Sequence, residues 1–385
     1  MRNTFLTVCR WLVGLLFIFS GLIKLNDPLG FGYKLEEYFE VFHMLFLNDY
    51  ATAIAIVLCA LEVILGAALL LGIKSVKVAW GLLLLIVFFT FLTFYSAYFD
   101  VVRSCGCFGD AIPLTPWQSF SKDLILFVLI VFIFINRKKI SAVFKTGSTE
   151  NYALVIVIIL TFGFGLYTYS YQPILDFLPY KVGANIPENM RMPQGAKPDV
   201  YEITYTLKNK KTGETKKLTD KEYLKTAIWK DDNWEIIGQP ENKLVKKGYE
   251  IKIKDLKITD SQGTDYSPEL IENPYYNLAI IAYDLNKTNL HAVGDLNALA
   301  INAAENYNIR TVLLTANSAE SAEVFAKRNK LVMETFYADG VPLKSMVRSN
   351  PGLLLLKNGT VINKWPFRLI PSYAELEQKY FSKNR

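Results

Sequence analysis

Histidine and cysteine are scarce in this chain, at two and four among 385 residues. All four cysteines fall within the first 107 residues, so the rest of the chain has no thiol to exchange or to hold a metal. His43 and His291 each lack a second histidine or a thiolate at ligand spacing, which leaves no closed zinc site. The second half contains no Gly-rich phosphate loop, paired-carboxylate motif or nucleophile elbow. Charge is sparse in one half only: residues 1–171 carry 22 charged side chains, and the other 214 carry 56. The formal net charge of +6 divides as +2 and +4 with acids interleaved, so it forms no basic patch for nucleic acid. With 51% hydrophobic residues and a mean hydropathy of +0.21, the chain is neither an ordinary soluble protein nor a disordered one.

What is abundant is long apolar runs. A membrane helix needs about 20 mostly apolar residues, and five stretches meet that need, at 5–25, 51–73, 78–99, 121–135 and 152–171. No small-residue cleavage site follows the first, which is therefore read as a helix and not as a signal peptide. Arg2, Arg10, Lys74, Lys77, Arg137, Lys138, Lys139 and Lys145 lie at one set of alternate ends. The opposite loops hold Lys24, Lys34, Arg103 and Lys122 among many acids. That bias places the N-terminus in the cytoplasm and, after five spans, the C-terminal half outside, in the periplasm.

The first outward loop is itself apolar. Leu35, Tyr38, Phe39, Phe42, Leu45 and Phe46 recur at helical spacing with Glu36, Glu37 and Glu40 opposite, which predicts an amphipathic helix at the outer interface. It either packs on the bundle as structure or covers something on the outer face, and His43 is expected to share in that packing. The second outward loop reads Arg103-Ser104-Cys105-Gly106-Cys107-Phe108-Gly109-Asp110. Cys105 and Cys107 face an oxidising compartment, and a pair two residues apart is within disulfide reach. Such a small ring is of the labile, exchanging kind, whereas a stabilising bridge gains more by closing a long loop. A redox-active dithiol and a structural bridge both stay open; two thiolates are too few for a metal. Glu62, well inside the second span, is a functional candidate by its position. It is either a helix-gluing partner of Lys24 or a tyrosine, or a proton site serving the outer pair. Gly14, Gly21 and Gly66 are read as close-packing positions.

On these residues the first 140 positions resemble the DoxX/MauE group of bacterial membrane proteins. The pattern Arg10-x3-Gly14-x2-Phe17-x2-Ser20-Gly21-x2-Lys24 is similar to that group's opening helix, and Glu62-x3-Gly66 to its second. The run Cys105-Gly106-Cys107-Phe108-Gly109 resembles the cysteine loop of the MauE branch. The resemblance implies a four-helix, redox-associated inner-membrane module, with MauE-type proteins linked to maturation of disulfide-containing periplasmic proteins. DoxD-type relatives imply a quinone as the membrane carrier, and Glu62 would then also be a candidate headgroup contact. The fifth span lies outside the resemblance.

After a proline-rich stretch (Pro173, Pro179, Pro187, Pro193, Pro198), alternating runs from Val200 predict a hairpin around Thr212-Gly213 and further strands at 234–237 and 249–258. From Asn277 the order is strand, helix, strand, helix, strand, closed by two runs flanking Asn358-Gly359. This portion resembles a thioredoxin-like domain, with Asn350-Pro351-Gly352 similar to that fold's cis-proline loop. One departure is decisive: where that fold carries Cys-x-x-Cys, this chain has no cysteine. Asn350, Pro351 and Gly352 are therefore expected to bind a partner's extended peptide and not to exchange thiols.

The expectation is a four-helix DoxX/MauE-like domain at 1–140, a fifth helix at 150–172, a linker and β-rich segment at 173–275, and a thioredoxin-like domain at 276–385. Functionally, Cys105 and Cys107 would exchange disulfides with a periplasmic client, linked to a membrane quinone, with Glu62 handling protons. The rival is a non-catalytic membrane scaffold whose outer domain docks an envelope complex. A permeation pathway has little to be built from, with one central acid and no internal repeat.

Overall fold

The computed structural model describes residues 4–102, 108–144, 146–246, 248–254 and 256–382. Among them are five helices long and apolar enough to cross a membrane. They are α1 (Thr4–Asn26), α3 (Ala51–Leu71, preceded by the 3-10 turn Leu45–Tyr50), α4 (Ser75–Phe99), α5 (Pro116–Ile135) and α6 (Gly147–Tyr171). The fourth span is longer than its apolar run suggests. Thr115 caps α5 reciprocally with Gln118, and Pro116 occupies the first turn, so the helix starts in polar sequence. The chain is a multi-pass membrane protein.

Helix α2 (Pro28–Val41) lies between α1 and α3. Its apolar face is that predicted from the spacing, with Phe31, Leu35 and Phe39 buried against Leu25, Ala51, Ala55 and Ile56. The helix stops earlier than the pattern implied. His43 turns left-handed (φ 57°), and Leu45 and Phe46 beyond it are 60% and 75% exposed. His43 is itself exposed and takes no part in the packing.

Helices α1 and α3 approach closely because small residues meet. A Cβ on Gly66 would stand 2.8 Å from the Gly14 carbonyl, and one on Gly21 would stand 2.8 Å from the Cys59 carbonyl. At the far end, Arg10 donates from Nε to the Leu69 carbonyl (2.7 Å) and from Nη2 to Leu70 (2.6 Å). These are orphan carbonyls of the α3 terminus. Gly72 closes that terminus in the left-handed conformation (φ 70°).

Beyond the membrane helices come α7 (Ile186–Met190), β1 (Val200–Asn209), β2 (Thr215–Thr219), α8 (Asp220–Thr226), β3 (Trp234–Ile236) and β4 (Glu241–Lys246). Strand β1 is the spine of a small antiparallel sheet, pairing with β2 on one edge and with β3 and β4 on the other. Then follow α9 (Ser267–Ile271), β5 (Tyr276–Ile281), α10 (Leu290–Tyr307), β6 (Arg310–Thr315), α11 (Ala319–Asn329), β7 (Glu334–Tyr337), α12 (Gly340–Met346), β8 (Gly352–Lys357), β9 (Thr360–Pro366) and α13 (Tyr373–Leu376). The five-stranded sheet runs β7-β6-β5-β8-β9. Its β5, β6 and β7 are parallel, and β8 and β9 are antiparallel. Leu353, Leu354, Leu355 and Leu356 are all buried, as in a strand covered on both faces.

One face of that sheet packs on α10, α11 and α13 through Leu296, Leu299, Phe325 and Leu376. The other face corrects the predicted boundary at 275. Tyr180, Ile186, Ile253, Leu256, Ile258 and Ile271 share one core with Ala279, Leu314 and Leu354. Residues on both sides of the small sheet are therefore part of the α/β domain and not a linker to it. The predicted strand at 249–258 is irregular chain. Ile253, Leu256 and Ile258 are buried in the core, and the next residue, Thr259, bridges to Tyr337.

Replacing Gly66 by Ala is expected to destabilise the bundle by about 1–3 kcal/mol, because a backbone carbonyl cannot yield to the added methyl. Unfolding in detergent followed by circular dichroism measures it, against Gly163→Ala, where the added Cβ meets nothing within 4 Å.

Candidate functional site

The α/β domain rests on the end of the bundle where α1 stops. Asp27 follows α1 directly, and its carboxylate caps α2 by accepting from the Gly30 amide at 3.0 Å. The same carboxylate receives Arg348 of the α/β domain, with Nε at 2.9 and 3.0 Å and Nη2 at 2.8 Å. Gly30 makes this possible, since a Cβ there would stand 2.4 Å from the Asp27 carboxylate and 2.9 Å from the guanidinium. Burial disfavours the Arg348 charge, but Asp27 outweighs it and holds the guanidinium above its ordinary value. Nη1 of Arg348 donates to the Lys344 carbonyl at 2.6 Å. Asp110 adds a looser contact at 3.5 Å.

Further contacts surround this pair. Tyr33 donates to the Tyr283 hydroxyl at 3.1 Å, and burial pushes both phenols above the usual tyrosine range, so both are neutral. Lys344 lies 4.3 Å over the Tyr33 ring. Lys364 pairs with Asp176 at 2.6 Å, although burial pulls its ammonium below the usual lysine range. Asn26 and the Leu175 backbone exchange two hydrogen bonds at 2.7 and 3.0 Å. Between these contacts lies a cavity of about 420 Å3, lined from both units by Asp27, Phe31, Asp110, Leu175, Lys344 and Arg348 among others.

Below it, inside the bundle, is a second charged group. Lys24 forms a buried ion pair with Glu62 and stands 4.7 Å over the Phe89 ring. Asp123 on α5 pairs with Lys122 and accepts from Thr93 at 3.1 Å. A cavity of about 40 Å3 lies among them, lined by Lys24, Glu62, Lys122 and Asp123 and by Phe108 from the loop. Three helices put this group at one depth. Glu62 is level with Gly21, so at 1.5 Å per residue it lies roughly 8 Å below the end of α1. Asp123 and Thr93 lie roughly 9–11 Å from the same-side ends of α5 and α4. Glu62 is thus nearer one face than its place in the second span implied, because α2 overhangs the start of α3.

Of the residues singled out in the sequence, Cys105 and Cys107 lie outside the described residues. The chain on either side is described. Asp100 and Val102 both adopt left-handed dihedrals (φ 51° and 49°), a strained state for β-branched Val102, which is buried beside Tyr38 and Leu92. Phe108, on the other side, stacks under Lys122 at 5.4 Å. Glu62 has Lys24 as its partner, one of the two expected. His291 is exposed on α10.

The Asn350–Pro351 bond is cis, and several of the loop's polar groups are held within the chain. Asn350 Nδ2 donates to the Asp284 carbonyl at 2.6 Å, and the Asn350 carbonyl accepts from the Asn289 amide at 3.2 Å. The Pro351 carbonyl accepts from Ser349 at 2.7 Å, and Gly352 already pairs with Ile281 and Pro366. The Asn350 and Pro351 carbonyls thus have partners within the chain. Sequence reasoning passed over Asp27, Asp123 and Arg348. Asp27-Pro28 carried a legible helix-start signal, while nothing local marks Arg348 as the partner of a residue 321 positions away.

Residues 2–136 match the family model described as methylamine utilisation protein MauE. The match ends just after α5, leaving α6 and the α/β domain outside it. A curated relative, Protein TlpB of Flavobacterium psychrophilum, is 29% identical over 152 residues, or 38% of this chain. The match spans 39% of that relative's length.

Replacing Arg348 by Ala strands Asp27 in a partly buried site, and loss of one member of a buried pair costs about 3–5 kcal/mol. The expected outcome is release of the α/β domain from the bundle. Spin labels on α2 and α12 of the full chain read it as a lengthened and broadened distance distribution.

Proposed function

We propose that this chain is a membrane thiol-disulfide exchange component in which Cys105 and Cys107 cycle between dithiol and disulfide beside the α/β domain. A thiolate of the reduced pair attacks a client disulfide, forming a mixed disulfide and releasing a client thiolate. The second cysteine then resolves it, so the client gains two electrons and the pair closes. The reverse sequence oxidises a client dithiol. The observation that supports this reading is the setting of the loop's two described ends. Strained Val102 enters it, and Phe108 leaves it against Lys122, between the wide cavity at the domain junction and the buried charged group beneath. Beyond the loop, Gly109 and Asp110 border the upper cavity and Phe108 borders the charged group beneath.

The MauE match supports the same reading for the bundle. The sheet order, the helices on both faces and the cis Asn350–Pro351 bond support a thioredoxin-like assignment for the domain. Having no cysteine, that domain serves the exchange by shaping the junction where a client meets the loop, not by taking part in it. The lysine and arginine bias supports an inner-membrane location with the domain in the periplasm. A quinone as the onward electron carrier comes from the family resemblance alone.

Single substitutions Cys105→Ser and Cys107→Ser are expected to trap mixed disulfides with envelope proteins, seen as species that vanish on reduction. A pair fully oxidised under every growth condition, with no trapped species in either variant, would falsify the exchange and favour a structural bridge. Reporter fusions at the C-terminus are expected to be active only outside the cytoplasm; a cytoplasmic signal overturns the orientation.

A further inference from the structure

Lys24 and Phe31 line both cavities. The lower cavity holds two ammonium and two carboxylate groups, and Lys24, Glu62 and Asp123 are at most 3% exposed. Charges at that depth are expensive and mark ion or proton pathways. A second observation lies on the route between the cavities. Ser119 is fully buried, its Oγ has no hydrogen-bond partner, and it lines the upper cavity. It precedes Asp123 by one turn on α5, so both lie on one helical face. A buried hydroxyl left unpaired costs about 1–3 kcal/mol, a cost that water in an adjoining polar cavity removes.

We infer that Glu62 and Asp123 form a proton-accepting pair that exchanges protons with the domain side only, through water in the upper cavity passing Ser119 and Lys24. The opposite route is closed. The lower cavity has Phe17, Ile86 and Leu126 in its lining, and these belong to an apolar core continuing through Val13, Leu82 and Ile130. A proton arriving from the upper cavity converts one carboxylate to its neutral acid and leaves its ammonium partner as an excess positive charge. Among the described residues, the groups facing this pair are Lys24 from α1, Cys59 from α3 and Lys122 from α5; α4 contributes the hydroxyl of Thr93. The mouth is faced by Asp27, Lys34, Glu36, Glu37, Glu40, Asp110, Asp176, Lys344 and Arg348. The inference stands on this geometry and holds whether or not Cys105 and Cys107 cycle.

The test is infrared difference spectroscopy of the full chain in lipid vesicles, with all domains outward, under stepped external pH and in exchange from H2O to D2O. A carboxylic C=O band is expected to titrate with external pH, shift in D2O, and lose intensity in both Asp123→Asn and Glu62→Gln. Ser119→Ala keeps all four charges and is expected to slow the deuterium shift severalfold. No titrating band, a band unaltered by both carboxylate variants, or a response only to internal pH would overturn the proton-accepting pair. An unchanged exchange rate in Ser119→Ala would overturn the route. None of these readouts uses thiol chemistry, so failure here is distinct from failure of the exchange reading.

Discussion

The carboxylate of Asp27 is the constraint on which the arrangement of the two units depends. It ends the first membrane helix, starts the second helix by capping it, and binds the guanidinium that seats the α/β domain. These roles are mutually consistent because a capping carboxylate uses only part of its accepting capacity, and the rest meets a planar donor edge-on. Gly30 supplies the missing volume. With Asp27 in place, α2 lies across the start of α3, and the sheet domain meets the bundle through the α12 end that carries Lys344 and Arg348.

That seating gives the charge segregation of the chain a physical meaning. Inside the bundle, the buried ion pairs lie at one depth, where ammonium and carboxylate groups balance and aromatic rings lie against the cations. In the domain, charge is plentiful and mostly solvated. Between them, among the described residues, lies a region where buried charges of both units meet.

The legible parts of the sequence were those set by local periodicity. Apolar runs marked the five spans, and Gly14, Gly21 and Gly66 marked a close helix contact. Alternation from strand to helix marked the five-stranded sheet. Glu62 stood out because an acid in an apolar run has no local reason to be there, and its partner Lys24 was within the residues considered. The isoleucines of 249–258 misled because alternation signals a half-buried strand whether or not a neighbouring strand exists to pair with. Asp123 stands beside a lysine near the start of its apolar run, where local sequence does not set it apart from an end-of-helix charge. Only α5's extension to Pro116 carries it inside.

Composition and pattern by themselves determined that the chain spans a membrane, that its thiols belong to the first half, and that a cysteine-free α/β unit follows. These are consequences of hydrophobic burial and backbone periodicity, which act over a few turns. The tertiary structure alone decided that Arg348 meets Asp27, that residues before and after the small sheet complete one core, and that the Asn350 and Pro351 carbonyls find partners within the chain. It also gathered Lys24, Glu62, Lys122 and Asp123 into a single group. Each of these joins residues on separate elements, and side-chain charge and shape complementarity across such distances leaves no trace in local spacing.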